Sequence, residues 1–241
     1  MASITTQPSV FQQIGFRWDA HQAYLFDIDG TLLRCRDRIH IEAFLSSVRA
    51  VMGRDFSLDG VVLSGNTDPG ILRDTFHLAQ LEAAHWQPRM EDILQRMREE
   101  VASRRDDFKI DKMPGVDQVL QHLRDKGATL GLATGNLEAI GWLKIEFLGL
   151  RPWFAFGGFS DRCIARADMI DLAAQQARAL AGAGVSICVV GDTPSDIAAA
   201  RANHLPVIAV ATGNYTFDQL MEHNPEACAH NLTALLASTE A

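Results

Sequence analysis

Four short strings in this sequence carry side chains that could do chemistry together. The first is Asp27-Ile28-Asp29-Gly30-Thr31-Leu32, directly after the apolar run Tyr24-Leu25-Phe26. In extended chain, residues two apart project to the same side. Both carboxylates would then face one place, which suits one metal ion and one reacting group. The competing reading is an Asp-Gly turn with no chemistry. A calcium loop does not fit. Its sixth position needs glycine and holds Leu32, and its twelfth needs glutamate and holds Arg38.

The second string, Thr134-Gly135-Asn136, follows the apolar run Thr129 to Ala133. A hydroxyl and backbone N–H groups at a strand-to-helix turn can hold a phosphate. The plainer reading is a turn with Asn136 as a helix N-cap. The third, Gly191-Asp192-Thr193-Pro194-Ser195-Asp196, adds two carboxylates after the run Ser186 to Val190. Helix capping by Asp192 or Ser195 is its alternative. The fourth is basic: Arg162 and Arg166 precede an alanine-rich stretch, and solvated surface charge is the competing role.

These strings need a frame that brings strand ends together. Short apolar runs at Tyr24–Phe26, Thr129–Ala133, Phe154–Phe156, Ser186–Val190 and Pro206–Val210 read as strands buried on both faces. Helical patterns lie between them, at Gly115–Lys126, Asn136–Leu148, Asp168–Ala181 and Ser195–Ala202. Asp168 is a plausible cap for the third of these. Such alternation predicts an α/β fold with a doubly wound parallel sheet and helices on both faces. Its binding crevice lies at the C-terminal strand ends. One region interrupts the alternation. Ile41–Met52, Pro69–Ala83 and Trp86–Ser103 all show helical spacing. More helices than one crossover needs predict a separate helical domain at 37–112, inserted into a core of 1–36 and 113–241.

Composition bounds the rest. The chain has 241 residues, 47% apolar and 22% charged, as ordinary globular proteins do. A net charge of −8 argues against a broad basic face for nucleic acid. Met1 to Trp18 lacks a secretory signal pattern, and no apolar run approaches the ~18 residues of a membrane span. Cys35, Cys163, Cys188 and Cys228 form no C-x-x-C pair, so reduced thiols in a cytoplasmic protein are expected. The eight histidines show no ligand spacing. Nothing in the sequence sets the oligomeric state.

Taken together, the strings resemble the haloacid dehalogenase superfamily of phosphotransferases. Asp27-Ile28-Asp29-Gly30-Thr31 is similar to its first motif, Thr134 to its second, and Gly191 to Asp196 to its fourth. The third motif departs from the commonest pattern: Arg166-Ala167-Asp168 stands where Lys-Pro is usual, with Arg162 as the runner-up. Arginine keeps the charge but presents a planar fork. The helical insertion resembles the C1 cap of the phosphoglycolate phosphatase-like and β-phosphoglucomutase-like branch, which implies a Rossmann-like core.

The resemblance implies a magnesium-dependent phosphatase acting on a small phosphorylated metabolite. Asp27 would be the nucleophile and Asp29 the acid and base. Mg²⁺ would sit on the Asp27 carboxylate, the Asp29 carbonyl and Asp192, with Asp196 as a further ligand or water holder. Thr134, Gly135, Asn136 and Arg166 would hold phosphate oxygens. Family dehalogenases lack the second aspartate of the first motif, so Asp29 favours phosphate chemistry. A phosphomutase on the same scaffold is the alternative, and a non-enzymatic phosphate-binding protein a more distant one. Ser64 to Pro69 is the candidate cap loop, with Gly65 and Thr67 as substrate contacts, Asp68 as a helix cap and Pro69 at the first helical position. Gly213-Asn214-Tyr215 could also line the crevice.

Overall fold

A computed structural model describes residues 9–239. Residues 1–8 and 240–241, which the expected core domain and signal-free N-terminus include, lie outside the described residues. The chain opens with β1 (Val10–Gln12), β2 (Ala23–Phe26) and β3 (Leu33–Cys35). Four helices follow: α1 (Ile39–Met52), α2 (Asp68–Leu78), α3 (Ala83–Trp86) and α4 (Met90–Ser103). Then β4 (Ile110–Lys112) pairs antiparallel with β3. The alternating part runs α5 (Val116–Asp125), β5 (Thr129–Ala133), α6 (Glu138–Phe147), β6 (Phe156–Gly158), α7 (Arg166–Ala181), β7 (Ile187–Gly191), α8 (Pro194–Ala202) and β8 (Val207–Val210). The C-terminal part is α9 (Phe217–Met221), β9 (Ala227–Ala229) and α10 (Leu232–Ala237).

The main sheet has the order β1-β9-β8-β7-β2-β5-β6, parallel except for the β1 edge. The central strands are buried along their whole length, so their residues alternate between two apolar layers. Tyr24, Phe26, Cys188 and Val190 face the side covered by α5, α6 and α10. Ala23, Leu25, Ile187 and Val189 face the side covered by α7, α8 and α9. The alanines of α7, Ala173, Ala174 and Ala177, are fully buried there. Their small side chains let the helix lie close on the sheet.

The helices between β3 and β4 share the first layer. Phe44, Leu72, Phe76, Trp86, Leu94 and Met97 belong to the same apolar cluster as Phe26 and Ile28. Phe76 stacks on Trp86 at 5.6 Å between ring centroids.

Several expected boundaries shift for identifiable reasons. The helix expected over Pro69–Ala83 stops at Leu78 and restarts at Ala83. Gln80 between them takes a left-handed φ of +53°, which a continuous helix does not allow. The helix expected from Trp86 begins at Met90, after a 3₁₀ turn over Gln87–Arg89 that holds Pro88. The strand expected at Phe154–Phe156 lies at Phe156–Gly158, because pairing with β5 sets Phe156 opposite Gly131. The ring of Phe156 lies where a Cβ on Gly131 would be, at 2.3 Å. The short strands β1, β3, β4 and β9 have no counterpart in the sequence reading. None of the described helices is long and apolar enough to cross a membrane.

Candidate active site

The sheet order reverses at β2. From there the chain fills β5 and β6 on one side, and β7, β8 and β9 on the other. The C-terminal ends of β2, β5 and β7 therefore meet at one crevice. Asp27 follows β2, Thr134 follows β5, and Asp192 follows β7. A cleft of about 590 Å³ opens there, lined also by residues of the helical segment. Arg34, Arg38, Lys144 and Arg166 line it beside Asp27, Asp29, Asp37, Asp68 and Asp192, so cations are gathered there despite the overall charge of −8.

Asp27 is held by the sheet itself, its N–H donating to the Val190 carbonyl at 2.9 Å. Arg166, the first residue of α7, crosses to it from the far side. Its Nη2 donates to Asp27 Oδ1 at 2.7 Å and to Asp196 Oδ1 at 2.6 Å. Arg162 is exposed and does not line the cleft. Ala165 occupies the cap position of α7, so Asp168 falls in its first turn rather than capping it. Helix α8 is capped by Thr193, not by Asp192 or Ser195. Thr193 and Asp196 form a reciprocal capping box around the first turn. That frees Asp192 to face the cleft, where Thr31 donates to its Oδ1 at 3.1 Å.

Asp27, Asp192 and Asp196 are buried and offer carboxylate oxygens within 4.8 Å of one another. Among the described residues, Arg166 pairs with Asp27 and Asp196, and Asp192 has no ion pair. Burial pushes Asp27 up to about 7, with Asp196 and Asp29 adding to the rise and Arg166 opposing it. Burial and the charges of Asp27 and Asp196 push Asp192 up to about 9. This all-oxygen, over-charged donor set suits a hard divalent cation. Asp196 fits least well as a ligand, since Oδ2 accepts from Thr193 and Oδ1 from Arg166. Among the described residues, Asp27 Oδ2 and Asp192 Oδ2 accept no hydrogen bond. Gly30 makes room for this arrangement. Its φ is +94°, and a Cβ there would lie 2.3 Å from Asp192 Oδ2.

Asp29 points to a different partner, which sequence reasoning missed. Lys144 on α6 is 2% exposed, and its Nζ lies 2.9 and 2.8 Å from the two Asp29 carboxylate oxygens. Desolvation raises Asp29, but the Lys144 charge and hydrogen bond, together with the hydrogen bond from Asn136, outweigh it and hold the carboxyl below its ordinary value. A lysine in a helix normally reads as surface. The available signal was its spacing, four residues after Ile140 and three after Gly141, on the buried face.

Asn136 is neither an N-cap nor free to bind phosphate. Leu137 occupies the cap position of α6, whose first residue is Glu138. The Asn136 amide nitrogen donates to Asp29 Oδ2 at 2.8 Å and to Thr134 Oγ1 at 2.7 Å, and its Oδ1 accepts from Lys144 at 2.9 Å. Both amide protons are used. Thr134 Oγ1 accepts from the Asn136 amide and backbone N–H, leaving its own proton to donate into the cleft.

The candidate cap loop docks on the core. Asp68 N–H donates to the Gly135 carbonyl at 2.9 Å. A Cβ on Gly135 would lie 2.0 Å from the Asn66 carbonyl oxygen, so only glycine permits this approach. Gly65 lines the cleft, but Thr67 does not. Thr67 is fully buried, caps α2 and donates to the Ile164 carbonyl at 2.7 Å. Its expected substrate contact is therefore replaced by a structural one. Thr67 takes the cap position expected of Asp68, so Asp68 is the first residue of α2 and Pro69 the second, and the Asp68 carboxylate instead accepts from Leu137 N–H at 3.0 Å. Gly213 and Asn214 line the cleft, and Asn214 donates to Ser64 of the loop at 2.6 Å.

The chain is similar to known proteins in sequence and in fold. Residues 24–210 match the family described as haloacid dehalogenase-like hydrolase. A phosphoglycolate phosphatase of Mesorhizobium japonicum is 31% identical over 122 residues. That stretch covers 51% of this chain and 53% of the relative, so the match spans about half the length of each. Among solved structures, a hydrolase from Pseudomonas syringae superposes with a TM-score of 0.68 at 17% identity, covering 91% of this chain and 98% of that one. A haloacid dehalogenase-like family protein of Streptococcus pneumoniae gives a TM-score of 0.62 at 20% identity, with 91% and 98% covered. These two likenesses establish the shared fold.

Proposed function

Since this chain belongs to the haloacid dehalogenase-like hydrolases, we propose that it is a magnesium-dependent phosphatase for a small phosphorylated metabolite, working through an aspartyl-phosphate. The observation that carries the reading is the placement of Asp27. A buried carboxylate ends the central strand, one oxygen held by Arg166 and the other bare, with Asp29 two residues on. Within the described residues, 37–112 form the cap over a core of 9–36 and 113–239.

In the first step Asp27 Oδ2 attacks phosphorus in line, and the bond from phosphorus to the leaving oxygen breaks. Asp29 gives that oxygen its proton. A bound dianionic phosphate raises the proton affinity of Asp29, opposing the effect of Lys144. In the second step Asp29 takes a proton from water, whose oxygen attacks phosphorus as the bond to Asp27 Oδ2 breaks, releasing inorganic phosphate and the free Asp27 carboxylate. Thr134, the Gly135 N–H and Arg166 hold the non-bridging oxygens. Asp27 and Asp192, with the Asp29 carbonyl, would hold Mg²⁺, and Asp196 acts mainly by fixing Arg166. Mg²⁺ bound there supplies charge neutralisation of the phosphoryl oxygens.

Phosphoglycolate is one candidate substrate, supported by the Mesorhizobium relative. Sugar phosphates and nucleotides are the others. The four unpaired cysteines fit a reducing, cytoplasmic setting. The test is release of inorganic phosphate from a panel of phosphorylated metabolites with Mg²⁺, beside Asp27→Asn as the blank. No Asp27-dependent release from any of them would overturn the reading. Conversion of a hexose phosphate to its isomer without phosphate release would instead establish a mutase.

A second expected result concerns metal and pH. Asp27 and Asp192 keep their protons to higher pH in the fold than in the unfolded chain. The fold thus binds more protons above about pH 4, where free carboxylates ionise. Raising pH then costs stability, through about 7 for Asp27 and about 9 for Asp192. In metal-free buffer the melting temperature should fall across this window. Mg²⁺ should counter the fall, by about 2.7 kcal/mol at a hundredfold excess over its Kd. Melting curves of wild type and Asp192→Asn, with and without Mg²⁺, check this. A Mg²⁺ shift of the same size in Asp192→Asn would count against the metal assignment.

A further inference from the structure

We propose that Lys144 is a positioning residue for Asp29, clamping its carboxylate for the acid–base steps. The proposal rests on the reading of Asp29 given above. Helix α6 buries Ile140, Gly141 and Ile145 beside Lys144, so its inner face is otherwise apolar. Methionine would fill that space without burying a charge, and a buried ion pair is seldom a gain in stability over an apolar residue. Packing therefore does not account for a lysine here.

The hydrogen bonds do. The ammonium group has three protons and no acceptor. Its nitrogen lies 2.9 and 2.8 Å from the Asp29 oxygens, 2.9 Å from Asn136 Oδ1 and 3.4 Å from His40 Nδ1. Those acceptors take all three protons, and none is left for a phosphate oxygen. From the other side Asn136 donates to Asp29 Oδ2 at 2.8 Å. The Asp29 side chain is 38% exposed at the cleft, so apolar packing does not hold it in place. The two-sided clamp fixes one orientation.

The cap segment completes the clamp. His40 Nδ1 faces an ammonium that can only donate, so its Nε2–H donates to Asp68, at 3.2 Å from Oδ2. Asp68 in turn accepts from Leu137 at the start of α6. Lys144 thus joins the acid–base residue to both segments that enclose it.

A double-mutant cycle with p-nitrophenyl phosphate and Mg²⁺ tests the clamp. It compares wild type, Lys144→Met, Asp29→Asn and the pair. Lys144→Met should lower kcat by roughly 10–100-fold with KM within about threefold. In the Asp29→Asn background the same change should cost less than about twofold, because the group it positions is gone. An equal loss in both backgrounds, an unchanged kcat, or a loss confined to KM would overturn the proposal. If Lys144→Met does not fold by circular dichroism, Lys144→Gln carries the same cycle. A wild type without Asp27-dependent turnover overturns the phosphatase reading and the clamp together. An active wild type with an additive cycle overturns the clamp alone.

Discussion

Asp27→Asn should abolish phosphatase turnover, by at least about 10⁴-fold, while leaving the fold intact. Asparagine keeps the shape and still offers Oδ1 to Arg166, which donates to that atom in the wild type. It has no carboxylate oxygen to attack phosphorus. The substitution also removes one of three clustered buried carboxylates, of which Arg166 pairs with two. The metal-free variant should therefore melt no lower than the metal-free wild type. This pairing of a dead enzyme with an unweakened fold is specific to a nucleophile held at an electrostatic cost. Steady-state assays and melting curves on one preparation supply both readings. Turnover near the wild-type rate in Asp27→Asn would sink the assignment.

Asp29→Asn should lose roughly 10²–10⁴-fold, the usual worth of general acid–base catalysis. The loss should fall on both half-reactions. Water is not activated, so any aspartyl-phosphate that forms should persist. Rapid mixing with labelled substrate and acid quench should then trap more labelled protein than in the wild type. The substitution also places an amide nitrogen against Lys144, a donor facing a donor, where Asp29 accepts on both oxygens. A modest drop in melting temperature should accompany the loss of rate. Wild-type rates in Asp29→Asn would remove it from the mechanism and leave Lys144 paired for structure alone.

Much of the candidate site was legible because its residues stand at strand ends. The apolar runs before Asp27, Thr134 and Asp192 are short, continuous and buried on both faces, a pattern that few other elements produce. Once the runs are strands of one parallel sheet, their carboxyl ends must share an edge. Arg166 was readable for a related reason, since the start of α7 also lies at that edge.

The errors came where two roles compete for one polar residue. Asn136 has the composition of an N-cap, yet its amide bridges Thr134, Asp29 and Lys144. Thr67 sits in a loop that faces the core, yet its hydroxyl is spent on Gly70 and Ile164. Ser195 looked like a cap for α8, yet Thr193 caps it in a box with Asp196. Local propensity names the residue types that can cap or ligate. It does not say which partner arrives from elsewhere in the chain.

The sequence by itself determined the strand ends, the order of the polar strings along them and the insertion after the first carboxylate pair. Those features depend on neighbours within a few residues, through pleat, helical period and turn. Only the tertiary structure decided the pairings. Lys144 meets Asp29 across 115 positions, and Arg166 meets Asp27 across 139. Contacts of that span depend on how helices dock on the sheet, which no local pattern encodes.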